Sequence, residues 1–212
     1  MRAREAYPPV LDLLGAQVGS TLLDVGCGLG FLLHAAQARG VRAFGVDLSD
    51  QAVRIARGVS PGARLAVCAG EHLTFRDASF DHVTCLGSLE HFLDLEQGLR
   101  EMRRVAKQDA RCVIMVPNRR FAGWWLLGRT GTAQQGIREQ LLTLGEWQRL
   151  FTRHGFSVLA VLPDLWHADK WKLKRLPPVL AQLLPPLVLM VWRLIPLRFQ
   201  YQFLFLLRRN AA

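Results

Sequence analysis

The run LLDVGCGLG at residues 22–30 sets three glycines at alternate positions, straight after an apolar stretch that ends in Asp24. Glycine costs backbone entropy on folding, so the run marks a place where bare main chain is required. The flanks read as a buried strand, STLLDVG, and a helix, LGFLLHAAQARG, closed by Gly40. A strand, a glycine turn and a helix start together bring main-chain amides against a ligand. The dinucleotide pattern G-x-G-x-x-G fits at Gly26 and Gly28 but finds Phe31 in its third place. The pattern present is Asp24-x-Gly26-x-Gly28-x-Gly30. A carboxylate there disfavours a pyrophosphate and suits a ligand with a positive end.

Strand-like and helix-like segments alternate along the rest of the 212 residues. VRAFGVDLS is a strand; a helix follows from Ser49 to Gly58; ARLAVCAG and FDHVTCLG are strands. Leu95, Leu99, Met102, Val105 and Ala106 share one helical face, opened by Asp94 with Gln97 as a capping box. ARCVIMVPN is a strand ended by Pro117, and Thr143 with Glu146 opens a helix that ends at Gly155. FSVLAVLP and QYQFLFLLRR complete the strands. Repeated β-α-β predicts an α/β fold, a mostly parallel sheet with helices on both faces. Residues 1–163 read as the core, interrupted by an inserted segment at 118–142. Residues 164–212 read as an apolar, basic lid or interfacial segment plus the final strand of the same domain.

Net charge is +10, but arginines are spread along the chain, so a solvated basic surface explains it as well as a polyanion site does. Cys27, Cys68, Cys85 and Cys112 are scattered without a C-x-x-C pair, which predicts buried thiols in a reducing cytoplasm. The N-terminus holds no long apolar run, so no signal peptide is expected. Residues 176–192 carry no charge for 17 residues, yet proline pairs interrupt them, so a membrane span is not expected. Two readings stand for that stretch: a lid packed on the domain, or a peripheral contact with the inner membrane face through 170–198, with KWKLKR at its start. Trp124 and Trp125 either line the ligand pocket or anchor the insertion.

Asp47 ends the second strand, where a carboxylate can accept hydrogen bonds from two ribose hydroxyls; Ser49 is free to cap the next helix. With that residue in place, LLDVGCGLG, VDLS, LTFRDASFD and GSLEHF, in this order, resemble the class I S-adenosylmethionine-dependent methyltransferases of the small-molecule type, over about residues 20–163. The resemblance implies a Rossmann-like seven-stranded sheet with its last strand antiparallel, and S-adenosyl-L-methionine as cofactor. It implies that the loop from Asp24 through Gly26, Cys27, Gly28 and Gly30 passes under the methionine part. By the same resemblance Asp47 grips the ribose, Leu48 packs on the adenine, and Leu86 adjoins the site. The acid that usually meets the adenine amino group is Ala69 here, so Gly70 main chain or Glu71 serves instead. Tyr7 is placed to reach the cofactor from the short N-terminal lid.

Methyl transfer from a sulfonium needs alignment first, and for a hydroxyl acceptor a base. His91, after the fourth strand, is the expected general base, against the alternative of a histidine bonded to neighbouring backbone. Glu90 is expected to orient the loop or the cofactor, and His72, His154 and His167 are weaker candidates. Relatives with E-x-x-E-H bind a divalent metal; Gly87 replaces the first glutamate, so no metal is expected. Cys85-Leu86-Gly87-Ser88 stands where base-amine methyltransferases carry N-P-P-aromatic, which argues against a nucleic acid partner. The expected reaction is methylation of a small-molecule or lipid-like acceptor, at oxygen. RNA or protein methylation, or a membrane-associated protein that binds the cofactor without turnover, are the alternatives.

Overall fold

The strand leading into the glycines is buried at every position, as a central strand covered on both faces must be. The computed structural model describes residues 4–121, 123–124, 139–164 and 194–211. Its strands are β1 (Thr21–Val25), β2 (Arg42–Asp47), β3 (Arg64–Val67), β4 (Phe80–Leu86), β5 (Ala106–Pro117), β6 (Phe156–Pro163) and β7 (Gln202–Arg209). They form one seven-stranded sheet in the order β3-β2-β1-β4-β5-β7-β6. The five strands from β3 to β5 pair in parallel, while β7 runs antiparallel to both of its neighbours. This is the expected seven-stranded, mostly parallel sheet with its last strand reversed.

Two cores lie on opposite faces. α1 (Pro8–Leu14) and α2 (Phe31–Ala38) bury Leu11, Leu14, Leu32 and Leu33 on one face. α3 (Asp50–Val59) follows β2. On the other face α4 (Leu95–Val105) and α5 (Leu144–Arg153) bury Leu99, Met102, Trp147 and Phe151. Alternation along β7 serves both: Phe203, Phe205 and Leu207 join the α4/α5 core, and Leu206 joins the α1/α2 core.

Local signals hold with three corrections, the first that Ala106, read on the helical face of Leu95–Val105, has extended backbone and opens β5. Ser49 caps α3 by accepting from the Ala52 amide at 3.2 Å. The helix passes through Gly58 to Val59, because Ser60 closes it and donates its hydroxyl to the Gly30 carbonyl at 2.8 Å. Thr143 and Glu146 form the full reciprocal capping box. Asp94 accepts from the Gln97 amide at 2.9 Å, but the Gln97 side chain donates to the Glu71 carbonyl, so the second half of that box is not closed. Trp124 anchors its segment: its indole N–H donates to the Asn118 carbonyl at 2.9 Å and its ring meets Phe121 and Tyr201 edge-on. Trp125, His167 and the basic and apolar stretches at 165–193 lie outside the described residues. Among the described residues no helix is long and apolar enough to cross a membrane.

Candidate functional site

Strand order reverses between β1 and β4, so the loops leaving their carboxyl ends diverge. Open α/β sheets form a crevice there. A cavity of about 770 Å³ occupies this place, lined by residues that follow β1, β2, β3 and β4.

The glycine turn is shaped by left-handed backbone: Gly26, Gly28 and Gly30 have φ of 73°, 52° and 79°. A Cβ on Gly26 would stand 2.2 Å from the Ser88 hydroxyl, so this glycine is also required by close approach of the loop after β4. The Gly26 and Cys27 amides donate to the Val46 carbonyl at 2.8 and 2.9 Å. Asp47 ties this turn to the next: one carboxylate oxygen accepts from the Gly28 amide at 2.8 Å, the other from the Ser49 amide at 2.9 Å. Each oxygen keeps a further lone pair for a ligand hydroxyl. Beneath the turn, Asp24 is buried and accepts from the hydroxyl of Thr84, its cross-strand neighbour, at 2.7 Å. Burial, opposed by that hydrogen bond, pushes the Asp24 carboxyl up to about 7.

Leu48 stands at the cavity with 76% of its surface exposed. Opposite, the loop after β3 is held by an aromatic wedge. A Cβ on Gly70 or on Gly98 of α4 would fall 2.2 or 2.3 Å from the Phe92 ring, so the ring fills a slot between two bare backbones. The Leu93 amide donates to one Glu71 carboxylate oxygen at 2.8 Å, and Glu71 lines the cavity.

The 3-10 turn Leu89–His91 follows β4. Glu90 is 2% exposed, and burial pushes its carboxyl up to about 8. Its Oε2 and the Nδ1 of His91 are buried atoms without a hydrogen-bond partner among the described residues. His91 Nε2 lies 4.0 Å from Glu90 Oε1, and the histidine lines the cavity. His154, by contrast, is a satisfied structural histidine, with Nδ1 2.9 Å from the Leu150 carbonyl and Nε2 3.5 Å from Glu96. His72 lines the cavity from the loop after β3.

Of the residues expected from sequence, Gly26, Asp47, Leu48, Gly70, Glu71 and His91 line the cavity. Asp24, Cys27, Gly28, Gly30 and Leu86 do not; Cys27 and Leu86 pack in the α1/α2 core instead. Tyr7 packs against Phe31, the first residue of α2, with ring centroids 6.3 Å apart. Ser88, Phe92 and Leu93 line the cavity without having been expected. The reciprocal signal for Phe92 is the pair Gly70 and Gly98, far apart in sequence. Among the described residues no group of three or more His, Cys, Asp or Glu is placed to hold a metal ion.

Comparison with known proteins places this geometry. A family model described as a methyltransferase domain matches residues 23–114. The ubiquinone biosynthesis O-methyltransferase of Idiomarina loihiensis is 34% identical over 113 residues, 51% of this chain and 46% of that protein. The norajmaline N-methyltransferase of Rauvolfia serpentina is 34% identical over 101 residues, 44% of this chain and 35% of that protein. The chain thus spans less than half the length of these curated relatives. The crystal structure of an S-adenosylmethionine dependent methyltransferase from Mesorhizobium loti superposes with a TM-score of 0.72 at 18% identity, covering 98% of both chains.

Proposed function

Residues 23–114 are a methyltransferase domain of the class I S-adenosylmethionine-dependent family, whose cofactor is S-adenosyl-L-methionine, and on that premise we propose that the protein methylates a small-molecule or lipid-like acceptor at oxygen. The cavity fits the cofactor. Its glycine turn would close under the methionine part, Asp47 would take the ribose hydroxyls and Leu48 the adenine face. Glu71 offers its remaining carboxylate oxygen to the adenine amino group, in place of the acid missing at Ala69. Bound there, S-adenosyl-L-methionine supplies a methyl group already activated by a sulfonium. The chain's own work is to align the acceptor, exclude water and receive a proton.

His91 carries the reading at oxygen. It lines the cavity, and among the described residues no backbone group bonds its Nδ1, which supports the reading as a base over that of a structural histidine. Burial pushes the Glu90 carboxyl up to about 8, which favours its neutral form next to His91. The exposed Leu93 at the cavity favours an acceptor with apolar surface. The Idiomarina relative is named for O-methylation; the Rauvolfia relative, named for N-methylation, keeps nitrogen as the second reading.

The test is methyl-labelled S-adenosyl-L-methionine, offered with a small-molecule extract, a lipid extract and total RNA in parallel. Label is expected in the first two. His91→Gln should lower transfer by about a hundredfold, the low end for loss of a general base, with S-adenosyl-L-homocysteine binding unchanged by calorimetry. Label appearing in RNA alone would sink the reading. Transfer unaffected by His91→Gln would move the reaction to nitrogen.

A further inference from the structure

Among the described residues no group hydrogen-bonds Nδ1 of the His91 imidazole, although such a bond is the usual device that orients a working histidine. Its direction then depends on packing and on the backbone that carries it. That backbone belongs to a single 3-10 turn, Leu89–His91, whose last carbonyls have no partner inside the turn.

One residue supplies the missing donors. The main-chain N–H of Gln140 donates to the Glu90 carbonyl at 2.8 Å, and its side-chain Nε2 donates to the Phe92 carbonyl at 3.1 Å. These two carbonyls flank His91 on either side. Gln140 is itself held close to the sheet. Two residues further on, Leu142 bridges to Asn118 at the end of β5 and accepts from the Arg119 amide at 3.1 Å. Thr143 then caps α5. On the cavity side the same loop is pinned by the Phe92 ring between Gly70 and Gly98 and by the Leu93 amide on Glu71.

We infer that Gln140 is a positioning residue for His91: by bracketing both neighbouring carbonyls it sets where the imidazole stands in the cavity. The inference rests on the reading of His91 as the proton acceptor and adds the group that orients it. It assigns a part in the site to the chain segment returning from β5, whose acceptor-side role the glycine turn and Asp47 do not share. Gln140→Ala keeps the main-chain bond and removes the side-chain one. Gln140→Lys keeps a donor on a side chain of comparable reach.

Three readouts are taken on the full chain: calorimetric affinity for S-adenosyl-L-homocysteine, turnover against KM for S-adenosyl-L-methionine with the active extract, and the imidazole carbon–proton NMR signal of His91. That signal is assigned among the six histidines by its loss in His91→Gln. Gln140→Ala should leave affinity and KM within about twofold, lower turnover by about tenfold, and broaden or split the His91 signal. Gln140→Lys should restore turnover and a single sharp signal. An unchanged His91 signal in Gln140→Ala overturns the inference. So does an equal loss of cofactor affinity and turnover that Gln140→Lys does not rescue, because that is a general structural defect. If His91→Gln retains full transfer, the base reading fails on its own, while the NMR arm still decides whether Gln140 positions the ring.

Discussion

The two halves of the cavity are built differently. On the β1–β2 side the carboxylates and turn amides are tied within the protein: Asp47 accepts two amides, Asp24 a hydroxyl, and the Gly26 and Cys27 amides share a carbonyl. On the β4 side the backbone is held by Gln140 and Phe92, but the side chains of Glu90 and His91 keep buried polar atoms without partners among the described residues. A satisfied half is rigid before anything binds, which suits a cofactor that is the same in every turnover. Unpartnered buried polar groups destabilise a fold, and functional sites are where such costs are kept. The contrast agrees with the proposed division, cofactor recognition on one side and proton transfer on the other.

The sharpest way to break the satisfied half is Asp47→Ala. It removes a carboxylate from two amides and from the expected ribose contacts. Charge-assisted bonds contribute about 1.5–3 kcal/mol each. Calorimetry with S-adenosyl-L-homocysteine should show affinity lower by about a hundredfold or more, with NADH as the non-binding control. Retained affinity would mean the cofactor sits elsewhere.

Both halves are probed by pH. Glu90 has a folded-state value raised to about 8 by burial, and Asp24 one raised to about 7. Each keeps its proton in the folded chain at pH values where the unfolded chain has lost it. Their contribution is therefore fully present below the ordinary carboxylate range and is lost as pH rises through the folded values. Thermal stability should fall from pH 5 to pH 9. Glu90→Gln should flatten that fall, so that its advantage over wild type grows with pH. A difference independent of pH would show that Glu90 is not a buried, proton-holding carboxyl.

Gly26→Ala joins the two halves, since the added methyl meets Ser88 and the residue must hold a positive φ. Strain of about 1–3 kcal/mol predicts cofactor affinity down by about tenfold. Adding Ser88→Gly should recover part of it; no recovery would assign the loss to backbone strain alone. Leu48→Ala should have the smallest effect, about threefold in affinity, because the side chain gains apolar contact only when the cofactor is bound. An effect as large as that of Asp47→Ala would contradict its exposure in the free protein.

Much of the cofactor half was legible in the sequence because its signals are local. Glycines at alternate positions, a carboxylate at a strand end, Ser49 before a helix and the Thr143–Glu146 box are spacings of two to four residues, and such spacings set turn and cap geometry directly. Misreadings also arose at this range. Gly58 reads as a stop, but the Ser60 hydroxyl reaching Gly30 carries the helix past it. Gln97 reads as a capping partner, but Glu71 claims its side chain.

By itself the sequence determined the α/β alternation, the strand–turn–helix at residues 22–30 and the family-like order of Asp24, Asp47 and His91. Only the tertiary structure decided that β7 enters between β5 and β6, that Phe92 fills the gap between Gly70 and Gly98, and that Gln140 reaches both carbonyls beside His91. The reason is separation along the chain. Helix and turn preferences act over a few residues, whereas these contacts join segments brought together by strand register and crossover connections, and many different sequences satisfy the same local rules without making them.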